Sequence, residues 1–290
     1  MEPDVVVSRD GVLVVRHENE ISGTTDVADH PEFADRRTTR IVDGEELAGW
    51  FVEDFDWAEL ATLRARERLP ALRPGSAAHD GEEPILRLRD VLDLVRSASL
   101  EHGRPLGVVL EIKHATYFSG IGWDVVDLVE GELRAAGWDG GDLPLWIESF
   151  EASALDRLRE RGVPASYVYL MEASGAPYDL VARGEAVPYA HAMTPAGLDA
   201  LAGRVDGISV DKSVLLRPHP RIVADAHARG LQVFTWTCRP ENSFLAHRFR
   251  RLGGPAAFGD YRREWAVVRA LGVDGVFVDH PDLGAEVFGG

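Results

Sequence analysis

Residues 2–17 have the sequence EPDVVVSRDGVLVVRH, which predicts a β-hairpin with two acids and a histidine at its open end. β-Branched runs flank the Asp-Gly pair at positions 10–11, and such a pair is the strongest short signal for a hairpin turn. With a two-residue turn, Asp4 lies directly across from His17, with Cβ atoms about 5 Å apart. Glu2 shares the face of Asp4 because side chains alternate along a strand. The neighbouring positions are almost wholly apolar, so we interpret these three residues as part of a functional site.

The composition limits the class of protein. The 290 residues suffice for one α/β barrel or two smaller domains. The net charge of −17 argues against nucleic acid or an anionic membrane surface as a partner, because both are polyanions. The single cysteine, Cys238, excludes an internal disulfide, and no apolar run approaches the roughly 18 residues of a transmembrane helix. The chain has two lysines, Lys113 and Lys212, against 29 arginines.

From Ile85 onward, short apolar strands alternate with amphipathic helices. Strands are predicted at residues 107–112, 144–148, 166–170, 207–211, 232–237 and 273–278. With the first strand of the hairpin they make seven central strands, and a weaker pattern at 187–191 is left out of this count. The alternation is typical of a TIM-type α/β barrel with a parallel sheet covered by helices, here one strand short of eight. A doubly wound open sheet is the alternative, but no Gly-x-Gly-x-x-Gly follows the first strand, which argues against a Rossmann dinucleotide site.

The predicted domain is interrupted by an insertion. Residues 1–17 and 85–290 are assigned to the barrel domain, and residues 18–84 to a lobe inserted within it after the first hairpin. The insertion is polar and rich in Arg and Asp, and stretches such as 72–76 contain Pro and Gly in a pattern typical of loops. We therefore expect little regular structure in the lobe.

Polar and aromatic residues follow the predicted strands, at the end where a parallel barrel places its active site. They are Glu111, Lys113, Glu148, Asp211, Trp236 and Asp279. Glu148, Asp211 and Asp279 are expected to support the site rather than to form its centre. For Glu111 and Lys113 the alternative is a buried ion pair that braces the barrel. Asp279 has the alternative of capping a following turn. The other histidines are interpreted as structural or surface residues.

Three converging carboxylates, those of Glu2, Asp4 and Glu111, favour a hard divalent cation. Without a cysteine among the ligands, Mg²⁺ or Ca²⁺ is expected rather than zinc. A hard cation beside a histidine and a lysine suits phosphoryl chemistry. The cation and Lys113 would neutralise the phosphate, and His17 would move the proton.

These motifs, in this order, resemble the glycerophosphodiester phosphodiesterase family. The segments that carry the resemblance are EPDVVV at 2–7, DG at 10–11, VVRHE at 14–18, TTDVA at 24–28, LEIK at 110–113, ESF at 148–150, FTWT at 234–237 and VDGVFVDHP at 273–281. They span nearly the whole chain and are most similar to the branch with an inserted lobe. The combination of Glu-x-Asp with a later His and Glu-x-Lys is the specific part, since each motif alone would be weak.

The resemblance implies a phosphatidylinositol-phospholipase-like barrel that hydrolyses glycerophosphodiesters to an alcohol and glycerol 3-phosphate. It implies that Glu2, Asp4 and Glu111 bind the divalent metal and that His17 is one of two acid/base histidines. It further implies that Lys113 contacts the phosphate and that Trp236 lines the glycerol side of the site. The family commonly has Asp after the histidine, where this chain has Glu18.

The family's first strand normally ends in His-Arg-Gly, which supplies the other catalytic histidine and a phosphate-binding arginine. No His-Arg-Gly occurs in this sequence, and Met1 directly precedes Glu2. We therefore expect an N-terminally shortened member that lacks the first strand and helix. Since one acid/base group contributes about 10²–10⁴ in rate, we expect this polypeptide to have little activity.

Two other functions are compatible with the same residues. One is a non-catalytic module, a pseudoenzyme that binds phosphodiesters or metal through its acids. The other is a phospholipid phosphodiesterase of the same superfamily, similar to sphingomyelinase D, which would need exposed apolar loops and, in secreted forms, a disulfide. One cysteine and a charge of −17 favour a small soluble diester instead. The sequence as it stands predicts a cytoplasmic protein, with a secreted or periplasmic one expected if a segment precedes it, and it does not predict the oligomeric state.

Overall fold

The computed structural model describes residues 1–289, in which an eight-stranded sheet carries the candidate site and a two-stranded sheet lies in the insertion. The strands are β1 Asp4–Val7, β2 Leu13–Val15, β3 Thr38–Val42, β4 Glu45–Gly49, β5 Val108–Ile112, β6 Leu145–Ser149, β7 Ser166–Met171, β8 Gly207–Asp211, β9 Gln232–Cys238 and β10 Gly275–Val278. The order in the large sheet is β2-β1-β5-β6-β7-β8-β9-β10. Strand β2 is antiparallel to β1, and the other neighbours are parallel.

Helices follow most of the parallel strands. They are α1 Trp57–Leu60, α2 Pro74–Ala77, α3 Leu88–Glu101, α4 Ala115–Gly120, α5 Val125–Ala135, α6 Ala152–Glu160, α7 Tyr178–Val181, α8 Tyr189–Ala192, α9 Pro195–Leu201, α10 Lys212–Leu215, α11 Ile222–His227, α12 Tyr261–Ala270 and α13 Pro281–Phe288. The longest, α3, buries residues at a helical spacing, among them Leu88, Leu92 and Val95. Helix α5 begins where the Asp124 carboxylate accepts two backbone N–H groups.

The sheet confirms the α/β barrel-type prediction, including the seven parallel strands. The large sheet is curled into a half-barrel, and among residues 1–289 strand β10 pairs with β9 alone. The outer edge of β2 is partly covered, because the Val15 N–H donates to the Leu86 carbonyl at 2.8 Å. The weak strand pattern at 187–191 is wrong: α8 begins there, directly after Pro188, which suits a helix start better than a strand interior.

The predicted register of the first hairpin is also wrong. Ser8 pairs with Val12, so the loop has three residues, and Arg16 rather than His17 lies opposite Asp4. A three-residue loop needs a left-handed residue at its last position, and Gly11 supplies it with φ of +80°. The Ser8 hydroxyl fixes this loop by accepting the Val12 N–H at 2.9 Å.

The inserted lobe is more regular than expected. It contains the antiparallel pair β3–β4, helices α1 and α2, and three short 3₁₀ helices at 27–29, 31–36 and 52–54. Arg73, the residue before α2, joins the lobe to the barrel by ion pairs with Glu241 at 2.8 Å and Asp279 at 2.6 Å. The assignment of 18–84 to a lobe within a single domain stays a prediction.

None of the helices within residues 1–289 combines the length and apolar character needed to cross a bilayer.

Candidate active site

The carboxyl ends of the parallel strands open into a cavity of about 1000 Å³. Its floor is formed by the ends of β5, β6, β7, β9 and β10, together with Asp4, the first residue of β1, which pairs with Glu111. The tip of the β3–β4 hairpin forms part of its wall, with Val42, Asp43, Glu45 and Leu47 among the lining residues. The cavity therefore lies where a parallel barrel carries its chemistry, with the inserted lobe beside it.

Three carboxylates meet on the floor of this cavity. Strands β1 and β5 pair in a register that sets Asp4 beside Glu111. One carboxylate oxygen from each of Glu2, Asp4 and Glu111 lies within 4.8 Å of the others. Lys113, on the same face of β5 as Glu111, places Nζ 2.7 Å from Glu111 Oε1 and 3.1 Å from Asp4 Oδ1. The structure thus brings together the predicted ligand set and the predicted phosphate contact.

The electrostatics of this cluster call for additional positive charge. Burial, together with the nearby Asp4 charge, raises the pKa of Glu2 to about 8. Burial also raises the pKa of Glu111 well above its usual range, although Lys113 opposes the shift. Burial alone would lower the pKa of Lys113, but its attraction to Glu111 and Asp4 outweighs this and raises it. A single ammonium does not neutralise three carboxylates, so an all-oxygen site for a divalent cation fits these residues.

A fourth carboxylate, that of Glu148, lies beside the cluster. Glu148 on β6 is paired in register with Glu111, and the residue is 2% exposed. Its Oε2 atom is buried and has no hydrogen-bond partner within the described chain. Burial, followed by repulsion from Glu111, raises the pKa of Glu148 well above its usual range. This carboxyl therefore adds to the negative potential of the floor.

Aromatic rings form one side of the cavity. Trp236, near the end of β9, packs edge-on against Phe150 with 5.6 Å between ring centroids. Phe150 also lies under Lys113, whose Nζ is 5.7 Å from the ring centroid. The Trp236 Nε1–H is buried without a hydrogen-bond acceptor in the described chain.

The two remaining predicted residues differ in position. Asp279 lines the cavity and is held by Arg239 at 2.7 Å as well as by Arg73. Burial would raise the pKa of Asp279, but these guanidinium groups outweigh it and lower the pKa. Asp211 is not among the lining residues; its carboxylate caps α10 by accepting the Ser213 N–H at 2.7 Å.

His17 reaches the cavity although its predicted cross-strand partner was wrong. Its Nε2 atom lies 3.4 Å from Lys113 Nζ, and its Nδ1 atom lies 2.7 Å from Glu18 Oε1. The imidazole is half-exposed, at 54% of the side chain, and so is open to a ligand in the cavity.

Sequence reasoning missed several lining residues. His114 directly follows Lys113, which was a usable signal, but the other neighbours come from loops whose docking has no local pattern. Among them are Asp43 from the β3–β4 tip, Tyr178 from α7 and Arg239 beyond β9. Their placement depends on how the lobe packs on the barrel.

Comparison with known proteins gives the family. The model of the glycerophosphoryl diester phosphodiesterase family matches residues 1–283. A glycerophosphodiester phosphodiesterase of Arabidopsis thaliana is 31% identical over 306 residues, covering 96% of this chain and 75% of the relative. One from Treponema pallidum is 22% identical, covering 100% of this chain and 83% of the relative. The chain belongs to the glycerophosphodiester phosphodiesterase family, a family of metal-dependent hydrolases.

Solved structures agree on the fold. A phosphodiesterase from Oleispira antarctica, in complex with the product sn-glycerol-3-phosphate, superposes with a TM-score of 0.61 at 18% identity, covering 100% of this chain and 84% of that one. A glycerophosphodiester phosphodiesterase from Agrobacterium tumefaciens gives a TM-score of 0.57 at 18% identity, covering 99% and 86%. The family model, which matches residues 1–283, confirms the family resemblance in the sequence, and with it the hydrolysis of glycerophosphodiesters as the family reaction.

Proposed function

We propose that this chain acts on small soluble glycerophosphodiesters and releases an alcohol and glycerol 3-phosphate. The observation that carries the proposal is the convergence of Glu2, Asp4 and Glu111 within 4.8 Å, with the Lys113 ammonium against two of them. The cavity is large enough for such a diester, since ligand pockets generally range from about 300 to 1,000 Å³.

Glu2, Asp4 and Glu111 would hold one Mg²⁺ or Ca²⁺ ion. Two positive charges from the ion and one from Lys113 balance the three carboxylates, whose crowding otherwise favours protonation, as the raised pKa values of Glu2 and Glu111 indicate. Bound there, a hard divalent cation supplies Lewis-acid stabilisation of charge on a phosphoryl oxygen.

Lys113 would bind the phosphate. In the described chain its ammonium is shared between Asp4 and Glu111, and neutralisation of those carboxylates by a cation leaves Nζ able to donate to a phosphoryl oxygen. Its position above the Phe150 ring restricts the direction of approach.

His17 would carry the proton. Hydrolysis forms a bond between a water oxygen and phosphorus and breaks the bond to the alcohol, so one proton leaves the water and one reaches the alcohol. His17 Nε2 faces the Lys113 ammonium, and thus the position proposed for the phosphate. Trp236, which lines the cavity, would bind the glycerol side through its ring.

The turnover of the 290-residue polypeptide is proposed to be slow. In the described chain two histidines line the cavity, His17 and His114. Both ring nitrogens of His114 face carboxylates, those of Asp43 and Glu18. That leaves His17 for both proton transfers, and a missing acid/base group costs about 10²–10⁴ in rate.

The test is release of glycerol 3-phosphate from glycerophosphocholine by the purified 290-residue polypeptide. It is measured after chelation and again after readdition of Mg²⁺ or Ca²⁺. Slow turnover that depends on the added cation supports the proposal, and turnover at a rate ordinary for the family refutes the impairment. Cation binding without any turnover would instead favour the non-catalytic binding module.

A further inference from the structure

A continuous row of side chains runs from the inserted lobe to the acid cluster. Asp43 Oδ2 lies 2.6 Å from His114 Nδ1, and His114 Nε2 lies 3.6 Å from Glu18 Oε2. The other oxygen of Glu18 lies 2.7 Å from His17 Nδ1, whose Nε2 is 3.4 Å from Lys113 Nζ. Three of the four ring nitrogens lie within 3.4 Å of a polar partner, and His114 Nε2 faces the Glu18 carboxylate across the longer distance of 3.6 Å.

The backbone at both ends of the first contact has an unusual conformation. Asp43 has φ of +49° and His114 has φ of +52°, in the left-handed region that non-glycine residues seldom adopt. At Asp43 this conformation belongs to the two-residue β3–β4 turn, whose second residue, Gly44, has φ of +87°. A Cβ atom at Gly44, the next residue of the hairpin tip, would lie 3.7 Å from the Tyr178 ring, so the tip lies close to α7.

The charges along the row are fixed by these contacts. Burial alone would lower the pKa of His114, but its bonds to Asp43 and Glu18 outweigh this and raise the pKa to about 9. Burial would raise the pKa of Glu18, yet the two histidines outweigh it and hold the pKa well below its usual range. A cationic His114 therefore attracts one carboxylate oxygen of an anionic Glu18.

The ionised state of Glu18 determines which ring nitrogen of His17 carries the hydrogen atom. An anionic carboxylate can only accept, so His17 Nδ1 must donate to Glu18 Oε1. In the neutral ring this leaves Nε2 as the acceptor, and the Lys113 ammonium donates to it. Nε2 is therefore the atom free to take up and release a proton.

We propose that Asp43 and His114 are positioning residues for His17, so that the β3–β4 hairpin of the inserted lobe sets the tautomer and orientation of the acid/base histidine. The inference rests on the proposed role of His17. Asp43 fixes the charged His114, His114 fixes Glu18, and Glu18 fixes the His17 ring with Nε2 toward the phosphate site.

The experiment uses the 290-residue polypeptide with ¹⁵N-labelled histidine, and Asp43→Ala, Asp43→Asn and His114→Gln as variants. Glu46→Gln is the matched control, because Glu46 is exposed on the same hairpin and does not line the cavity. Ring ¹⁵N shifts of His17, assigned through His17→Gln, report its tautomer. Wild type and Glu46→Gln are expected to show the Nδ1–H form. In the three variants Glu18 is released into solvent, and the Nε2–H form becomes the major one.

Activity gives a second readout. The three variants are expected to lose about tenfold in kcat, a fraction of the 10²–10⁴ of a whole acid/base group, with KM little changed. Cation binding at Glu2, Asp4 and Glu111, measured by calorimetry, stays at the wild-type affinity and shows that the variants are folded.

An unchanged His17 tautomer in folded variants overturns the inference. If the wild type hydrolyses nothing but the tautomer shifts as expected, the proposed function fails and the positioning stands.

Discussion

At the scale of single residues, the site is organised around the charge balance of Glu111. This carboxylate touches the Lys113 ammonium on its own strand and lies beside Asp4 on the next one. It is 6% exposed, so water does little to stabilise its charge. Its neighbours decide whether it is ionised, and a bound cation is the partner that favours ionisation most strongly.

Glu111→Gln is expected to weaken Mg²⁺ or Ca²⁺ binding at least tenfold. The amide keeps the volume of the side chain but removes one of three anionic ligands. Isothermal titration calorimetry on the chelator-treated protein measures the affinity. Glu101→Gln is the control, since Glu101 is exposed at the end of α3, and it should bind the cation as the wild type does. Equal affinities in both variants would remove Glu111 from the ligand set.

At the scale of elements, the first hairpin and the lobe show what positions these residues. The register of β1 and β2 depends on a three-residue loop whose last residue, Gly11, has a left-handed backbone conformation. A Cβ atom at Gly11 would lie 2.8 Å from ring carbons of Trp123. The hairpin loop is therefore restricted both by its backbone conformation and by its packing against the segment before α5.

Gly11→Ala is expected to destabilise the protein by about 2 kcal/mol, because it combines a left-handed φ with an overpacked contact. Gly23→Ala is the matched control: Gly23 is exposed and a Cβ there meets nothing within 4 Å. The control should remain within about 0.5 kcal/mol of the wild type. Urea denaturation gives both values, and a neutral Gly11→Ala would show that the loop tolerates other conformations.

The lobe depends on Arg73 for its contact with the strand ends. Arg73→Met is expected to cost about 3 kcal/mol, because it leaves the buried Glu241 carboxylate without its guanidinium partner. Glu241 is 1% exposed, and its other recorded side-chain partner is His280 Nε2 at 3.4 Å. Thermal or urea unfolding measures the loss. The control is Arg68→Met in the same lobe, at an exposed residue with no ion pair recorded in the described chain, and it should leave stability unchanged. A similar loss there would argue against a specific role for the Arg73 ion pairs.

The parallel strands were predictable because each is a short apolar run bounded by turn residues, as Val108–Ile112 illustrates. Glu111 was predictable because the carboxyl ends of parallel strands gather at one edge of the sheet, and Glu2 and Asp4 were predictable as acids at the open end of an apolar hairpin. The pairing of His17 was not, since turn length alters the register by one residue and an Asp-Gly pair serves both two- and three-residue loops. Asp43 was not predictable either, because its contact with His114 joins residues 71 positions apart.

At the scale of the whole molecule, the acid cluster makes stability depend on pH and on the cation. Without metal, the pKa of Glu2 is raised to about 8, and those of Glu111 and Glu148 are raised well above the ordinary 4.5. The folded protein then binds more protons than the unfolded chain between pH 4.5 and about 8, so stability falls as pH rises through this window. Carboxyls with lowered pKa, such as Glu59, are ionised in both states there and do not change the slope.

We therefore expect the melting temperature of the chelator-treated protein to decrease from pH 5 to pH 8, because protons that neutralise the cluster are lost. Excess Mg²⁺ or Ca²⁺ should reverse the trend, since the cation binds the deprotonated carboxylates and its stabilising effect grows with pH. Differential scanning fluorimetry at several pH values, with and without cation, measures both slopes. A melting temperature of the metal-free protein that rises with pH would contradict the raised pKa values of Glu2, Glu111 and Glu148.

The two lysines give the molecule an unusual chemical property. Lys113 is 7% exposed against Asp4 and Glu111, and Lys212 is 8% exposed with its ammonium 2.8 Å from Glu264. Reagents that modify amines therefore find both side chains shielded in the folded protein. Acetylation of the two lysines, measured by mass spectrometry, therefore distinguishes two events. Modification of Lys113 alone reports opening at the acid cluster, whereas modification of both reports loss of the fold.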